Sequence, residues 1–460
     1  MNSLHSLLVV LYLFCFSRII ADTGDLIDYN YQESFSINSI EFMLGILGED
    51  LPPPSYPISV YDVQYESHRS EDVIDTLSGL VCVPESRTKA FPILSYHHGT
   101  SLLDMNAPSI TGLSFYNTEI LLIGLATTSS GFITMIPDYE GIGDLEKFHP
   151  YIVADSYTRT VVNMISAVKL LSKELEGEDG FQYNEQLFLV GYSEGGYATL
   201  AAQRGIEHNY NDMLKIAASL PMAGPYDLSG TMVDYILSNP IYPEPYYIPY
   251  VFTSHLWTYE GLDVDFNNYF KPFWADTLPS LYDGTHSGGE INSMMPENVL
   301  DILLDDVLDD FINNENHILR QTLEINTIID WTPQSPTYLF HGIGDDIIPY
   351  ENSQIVYNNF QNNGAQNVNI ELFSEDLGGH GEVAIYCLLS GYNIMLDYQV
   401  INEKGDIDGD GIISEADFDF LILSIINDSD VTDFQWWTGD INYDNIHDIF
   451  DLLVIADMLD

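Results

Sequence analysis

At 460 residues the chain exceeds a typical single-domain length, so one large elaborated domain or two domains both fit. Hydrophobic residues make up 46% and aromatics 13%, which excludes wholesale disorder and a fibrous repeat. The 70 Asp and Glu against 13 Lys and Arg leave a net charge of −57, a field that repels phosphate backbones and anionic lipid head groups and argues against nucleic-acid partners.

Leu7 to Phe16 is the long apolar run of the N-terminus, and it is too short to span a bilayer. Followed by Ser17-Arg18-Ile19-Ile20-Ala21, it reads as a secretory signal peptide over 1–21 with cleavage near Ala21, which predicts an extracellular protein. Of the remaining sequence, 22–402 reads as one domain. Cys82 and Cys387 are then the cysteines left, able to pair in an oxidising compartment but too few for a disulfide framework, and two buried thiols are expected. From Asp22 to about Tyr65 the chain is polar and Pro-rich, an extended lead-in. Phe91–Tyr96 and Phe132–Ile136 read as strands. Ala154–Glu176 carries Val161, Val162, Ile165, Val168, Leu171 and Leu175 at helical spacing. Leu187–Val190 is a strand, followed by a small-residue helix from Gly195 to about Glu207. Ile216–Leu220, Thr337–Phe340 and Val368–Phe373 complete the strand set. Continuous apolar strands alternating with helices predict an α/β fold with a mostly parallel sheet covered on both faces. The long interval of about 226–335, rich in Tyr and Pro (Tyr242, Tyr246, Tyr247, Tyr250) and then acidic and helical over Pro296 to Asn314, predicts a cap over a pocket.

Gly191-Tyr192-Ser193-Glu194-Gly195 follows the strand Leu187–Val190 and opens a helix containing Gly196, Ala198, Ala201 and Ala202. A G-x-S-x-G turn between strand and helix lifts a serine hydroxyl into a pocket and needs small neighbours to do so. Serine requires a base to take its proton and an acid to orient that base. Asp345, in the loop after the strand ending at Phe340, is the expected acid, with Asp346 the neighbouring alternative. His380, between glycines in Gly378-Gly379-His380-Gly381, is the expected base. An oxyanion hole needs two backbone N–H groups. Glu194 should supply one and the loop His97-His98-Gly99-Thr100 the other, through Thr100 with Gly99 as alternative. His97 and His98 have no third ligand spaced to join them around a metal, and no cofactor is expected for catalysis.

On these residues the stretch of roughly 60–400 resembles an α/β-hydrolase, and more narrowly the secretory lipase/esterase family. The supporting pieces are Tyr96-His97-His98-Gly99-Thr100, Pro137-Asp138-Tyr139-Glu140-Gly141, His149-Pro150-Tyr151, Gly191 to Gly196 and Ala223-Gly224-Pro225-Tyr226-Asp227. The resemblance implies a helical cap before the acid-bearing loop. It also implies hydrolysis of a carboxylic ester, of a lipid or of an acylated polysaccharide, through a Ser-His-Asp triad and an acyl-enzyme. A serine peptidase on the same fold is the alternative chemistry, and a scaffold- or surface-attached esterase the alternative role.

Residues 405–460 contain 15 acids and no Lys or Arg. Asp406, Asp408, Asp410, Gly411 and Asp417 have calcium-loop spacing, with the Ile412 carbonyl as a further ligand. The pattern returns in register as Asp440, Asn442, Asp444 and Asp451, with Ile446 in the place of Ile412 and Asn445 at the turn. Each loop leads into an apolar segment, Phe418–Ile426 and Ile449–Leu459. The pair resembles a type I dockerin, which implies a small helical, EF-hand-like module, two calcium ions and a cohesin-like or surface partner.

Overall fold

The computed structural model describes residues 24–460 apart from 49–50, 71–72, 145, 176–179, 428–430, 445 and 460. The expected signal peptide and the turn residue Asn445 lie outside the described residues. A ten-stranded sheet runs through the chain: β1 Leu26–Phe35, β2 Ile58–Ser70, β3 Val73–Pro84, β4 Lys89–His97, β5 Ile133–Pro137, β6 Gln182–Tyr192, β7 Lys215–Met222, β8 Thr337–Gly342, β9 Val368–Phe373 and the short β10 Asn402–Glu403. The spatial order is β1-β2-β3-β5-β4-β6-β7-β8-β9, with β10 on β4. From β5 to β9 the pairing is parallel, and β1, β2 and β3 extend the sheet antiparallel.

The expected extended lead-in is corrected by β1, β2 and a helix, α1, at Ile37–Leu47. Within β2, Tyr61, Val63 and Tyr65 are buried while Asp62, Gln64 and Glu66 between them are not, so a period-2 pattern was present in that part of the sequence. β1 is an edge strand with mostly exposed side chains and carries no apolar run to read.

Alternation on the central strands fills both faces. Leu94, Phe188 and Val190 point to a layer formed by α1, α2 (Thr118–Ser129) and a later helix, α10 (His380–Tyr398). Ile93, Leu187 and Leu189 point to the opposite layer, which contains α3 (Ala154–Glu174) and α4 (Glu194–Asn209). Between β7 and β8 the cap is built from α5 (Tyr247–Glu260), α6 (Pro272–Leu281), α7 (Asp305–Asn313), α8 (Ile318–Ile325) and shorter turns. The helical stretch expected over Pro296 to Asn314 is interrupted, with a 3-10 turn at Val299–Ile302 ahead of α7. α9 (Glu351–Asn362) links β8 to β9 and contributes Val356 and Phe360 to the core shared with the cap. Cys82 and Cys387 are free, buried thiols.

The C-terminal region forms α11 (Glu415–Asn427), α12 (Asp433–Gly439) and α13 (Ile449–Leu459) around Ile407, Leu421, Ile441 and Ile455. The short α12 was not expected. Its Thr432 capping box is the sequence signal for it. This region is tied to the sheet: Asn184 donates to Asn402 at 2.7 Å, Asn402 donates to Asp406 at 2.8 Å, and Lys173 pairs with Asp433 at 2.7 Å.

Candidate active site

Ser193 sits between β6 and α4 with φ 62° and ψ −122°, a conformation that costs an L-residue energy and survives only where the surroundings dictate it. Those surroundings are the glycines. A Cβ at Gly195 would lie 1.8 Å from the His97 carbonyl oxygen, and one at Gly196 would lie 2.0 Å from that of Met222. The Ser193 N–H donates to Met222 O at 2.9 Å, which fixes the turn against β7.

The three residues expected from the sequence come together here from the ends of β6, β8 and the loop after β9. His380 Nε2 lies 2.8 Å from Ser193 Oγ, and His380 Nδ1 lies 2.6 Å from Asp345 Oδ2. Asp345 Oδ1 accepts from the N–H groups of Ile347 (3.0 Å) and Ile348 (2.8 Å), so the carboxylate is held on both oxygens. Burial alone would raise this carboxyl. Hydrogen bonds from His341 and His380, then the attraction of either imidazole when protonated, hold it well below the usual carboxylate range. An ionised Asp345 can only accept, so His380 Nδ1 carries the hydrogen and Nε2 offers its lone pair to the serine. Asp346 instead accepts from the His380 N–H at 3.2 Å. It anchors the start of α10 and does not face the imidazole.

Two side chains the sequence reading gave no role complete the frame. His341 lies 3.3 Å from Asp345 Oδ2, and its other nitrogen bonds Ser353 at 2.7 Å. Its position at a strand end, four residues before the acid, was the available signal. Tyr192, beside the serine, donates to the His380 carbonyl at 2.5 Å.

For the oxyanion donors, the Gly99 N–H is already given to Glu119 at 3.0 Å, which leaves Thr100 as the available donor in that loop. Neither the Thr100 nor the Glu194 N–H has a partner among the described residues. His97 is buried under the elbow, bonded to Ser95 (2.8 Å) and Thr199 (2.7 Å). Burial first, then the charge of His98, pulls it down to about 3, so it is a neutral core residue.

Ser193 and Glu194 line a cavity whose other walls are largely apolar and come in large part from the cap, including Met232, Val251, Phe252, Phe311 and Leu323. An apolar lining of this kind suits an aliphatic group.

At the far end of the chain, carboxylate oxygens of Asp406, Asp408 and Asp410 lie within 4.8 Å of one another. Asp417 is buried and accepts from the N–H groups of Ile407 (2.7 Å), Asp408 (3.0 Å) and Ser414 (2.8 Å). The second loop repeats this bond for bond: Asp451 accepts from Ile441 (2.9 Å), Asn442 (3.1 Å) and Asp448 (3.0 Å). Ile412 and Ile446 each donate their N–H to the preceding loop carboxylate, Asp410 or Asp444. Burial, and secondarily the charges of Asp417 and Asp410, raise Asp406 in spite of a hydrogen bond from Asn402. This hard-oxygen, charge-crowded donor set fits a divalent cation in the first loop. The second loop has Asn442 where the first has Asp408, and beside it Lys404 lies 2.5 Å from the Asp440 carbonyl oxygen and 3.5 Å from its carboxylate, over the rings of Trp437 and Tyr443.

With this geometry in hand, residues 108–384 match the family model for secretory lipase. Comparison with curated proteins returned no match. Among solved structures, the chain is similar to the rice cell-wall-degrading esterase LipA of Xanthomonas oryzae, at 22% identity and a TM-score of 0.70 over 81% of this chain and 97% of that one. A proposed hydrolase from Legionella pneumophila is 26% identical with a TM-score of 0.70, covering 81% and 98%. Candida antarctica lipase A is 18% identical with a TM-score of 0.59, covering 81% and 82%. At these identities LipA and the Candida lipase speak for the fold.

Proposed function

We propose that this chain, which belongs to the secretory lipase family and is a carboxylic-ester hydrolase, cleaves its ester as a secreted enzyme through Ser193, His380 and Asp345. Ser193 Oγ attacks the acyl carbonyl while His380 Nε2 takes its proton. Asp345 keeps the imidazole in the right tautomer and stabilises the imidazolium that forms. The negative oxygen of the tetrahedral intermediate is held by the Glu194 and Thr100 N–H groups. Collapse expels the alcohol with the proton from His380, and water repeats the sequence to release the acid.

The observation that carries this reading is the unbroken chain Ser193–His380–Asp345 at the wall of the apolar cavity. The apolar wall favours an ester with an aliphatic acyl group, seated under the cap. Reaction with a p-nitrophenyl phosphonate tests the assignment: one adduct, on Ser193, with loss of turnover is expected, and inactivation with the adduct on another residue would contradict it.

The region 405–460 acts in this reading as a dockerin-like calcium module, supported by the converging carboxylates of the first loop and the bond-for-bond repeat in the second. Bound calcium would neutralise the crowded carboxylates. Asp406, Asp408, Asp410, Asp417 and the Ile412 carbonyl would hold one ion, and Asp440, Asn442, Asp444, Asp451 and the Ile446 carbonyl the other. Leu423, Ile426, Phe450 and Leu453 are exposed on α11 and α13 and offer an apolar surface to a cohesin-like partner.

A further inference from the structure

Beside Ser193 lies a second acid–base pair that the triad chemistry leaves unused. Glu194 Oε1 sits 3.0 Å from His149 Nε2 and accepts from the Tyr157 hydroxyl at 2.9 Å, while Oε2 is buried with no hydrogen-bond partner among the described residues. His149 Nδ1 lies 2.7 Å from the Glu140 carbonyl oxygen, an acceptor only, so Nδ1 carries a hydrogen. Nε2 therefore meets Oε1 in one of two ways: as an N–H facing a carboxylate, or as a lone pair facing a carboxylic O–H. Two bare lone pairs at that distance would repel.

Tyr157 does not remove the requirement. Its oxygen accepts from the Ile152 N–H at 3.0 Å, and its one hydrogen serves Glu194, with His149 Nε2 farther off at 3.4 Å. One proton is thus held between His149 and Glu194, and the pair is neutral as a unit. The orphaned Oε2 points the same way, because a full carboxylate charge buried with one oxygen unsatisfied is costly. The other groups around His149 are the phenols Tyr139, Tyr151 and Tyr250 and, through space, the Asp104 carboxylate, which accepts from the Gly143 N–H, while the Glu140 carboxylate is engaged by Ser156 and Arg159. Among the described residues no Lys or Arg pairs with Glu194.

We infer that His149 is a positioning residue for ester hydrolysis, sharing a proton with Glu194 so that no uncompensated negative charge stands beside the Glu194 N–H that receives the oxyanion. The inference rests on Ser193 being the nucleophile. Glu194 presents its amide to the developing negative oxygen and carries a carboxyl group on the same residue. Neutral, that group leaves the amide's field intact. Ionised without a partner and buried, it would oppose the charge the transition state must build, and would do so more than it opposes binding of a neutral ester.

Steady-state kinetics on a short, soluble p-nitrophenyl ester test this. His149→Gln, which keeps a hydrogen-bond donor but cannot take the shared proton, should lower kcat by about tenfold or more while KM moves less than about threefold. Adding Glu194→Gln to that variant keeps the backbone N–H, removes the stranded charge and should raise kcat at least about fivefold above that of the single variant. A merely structural role for His149 predicts the opposite, with the double variant as poor as the single one or worse, and that outcome overturns the inference. So does a His149→Gln enzyme with full kcat. Should His149→Gln fail to fold, a folded and active double variant still supports the charge argument, and an unfolded or inactive one refutes it. Ser193→Ala run alongside keeps the two readings apart: activity surviving in it refutes the nucleophile, whereas failed rescue with Ser193→Ala inactive refutes the role of His149 alone.

Discussion

Ser193 occupies its positive-φ elbow because Gly195 and Gly196 let the backbones of β4 and β7 approach it closely. Gly195→Ala should therefore displace the His97 loop that carries Thr100 and reduce turnover by roughly a hundredfold or more, the scale of losing one oxyanion donor. Normal kinetics in that variant would show that the loop has room to move. The acid is equally specific. Asp345→Asn should cost about 10³–10⁴-fold in kcat because the amide no longer fixes the His380 tautomer, while Asp346→Asn, which keeps an oxygen to accept from the His380 N–H, should cost about tenfold or less. The reverse order would move the acid to Asp346. Because the folded value of Asp345 is depressed below its ordinary 3.8, its stabilisation is complete above 3.8 and is lost as pH falls through the folded value. The Tm difference between wild type and Asp345→Asn should accordingly be constant from about pH 7 to 5 and shrink in strong acid. A gap that widens in acid would contradict the depressed value. At this scale Ser193, Asp345 and His380 were legible because an exposed serine turn and loop residues at strand ends obey local rules. His341 and His149 were not, since their partners, Asp345 and Glu194, are set by folding.

The parallel strands from β4 to β9 were legible as elements because buried strands read as apolar runs bounded by breaks. β1 was hidden by its polar edge-strand composition, β3 sits in a stretch the apolar-run criterion passed over, and neither paired partner nor strand order is written locally. The cap was legible from its length and its Tyr and Pro content, and its helices supply most of the cavity wall. Val251 on α5 lines that cavity. Val251→Trp should fill part of it and shift preference from long to short p-nitrophenyl esters by about tenfold or more, each excluded methylene being worth roughly 1 kcal/mol. An unchanged chain-length profile would leave the cap as packing alone.

Across the whole molecule the charge of −57 is spread over both the hydrolase and the C-terminal region, so salt should stabilise the fold by screening self-repulsion. Stability indifferent to salt from low to molar concentration would contradict that. The C-terminal region stands on its own small core and was legible as a repeat, but its attachment to β4 and β6 through Asn402 and Asn184 was not, because those asparagines look like ordinary polar residues in sequence. Calcium should raise the melting temperature of this region, and EGTA should increase its protease sensitivity while turnover of a soluble ester stays nearly constant, since the triad lies on other elements. Loss of catalysis on chelation would place a metal in the hydrolase instead.

Ester hydrolysis by Ser193 under an acyl-binding cap is decided by turnover of p-nitrophenyl esters of graded chain length by wild type and Ser193→Ala. The wild type should hydrolyse the series saturably with a defined chain-length optimum, and the folded Ser193→Ala protein should stay at near-background rate. A Ser193→Ala protein that hydrolyses the series at the wild-type rate would contradict the role of Ser193.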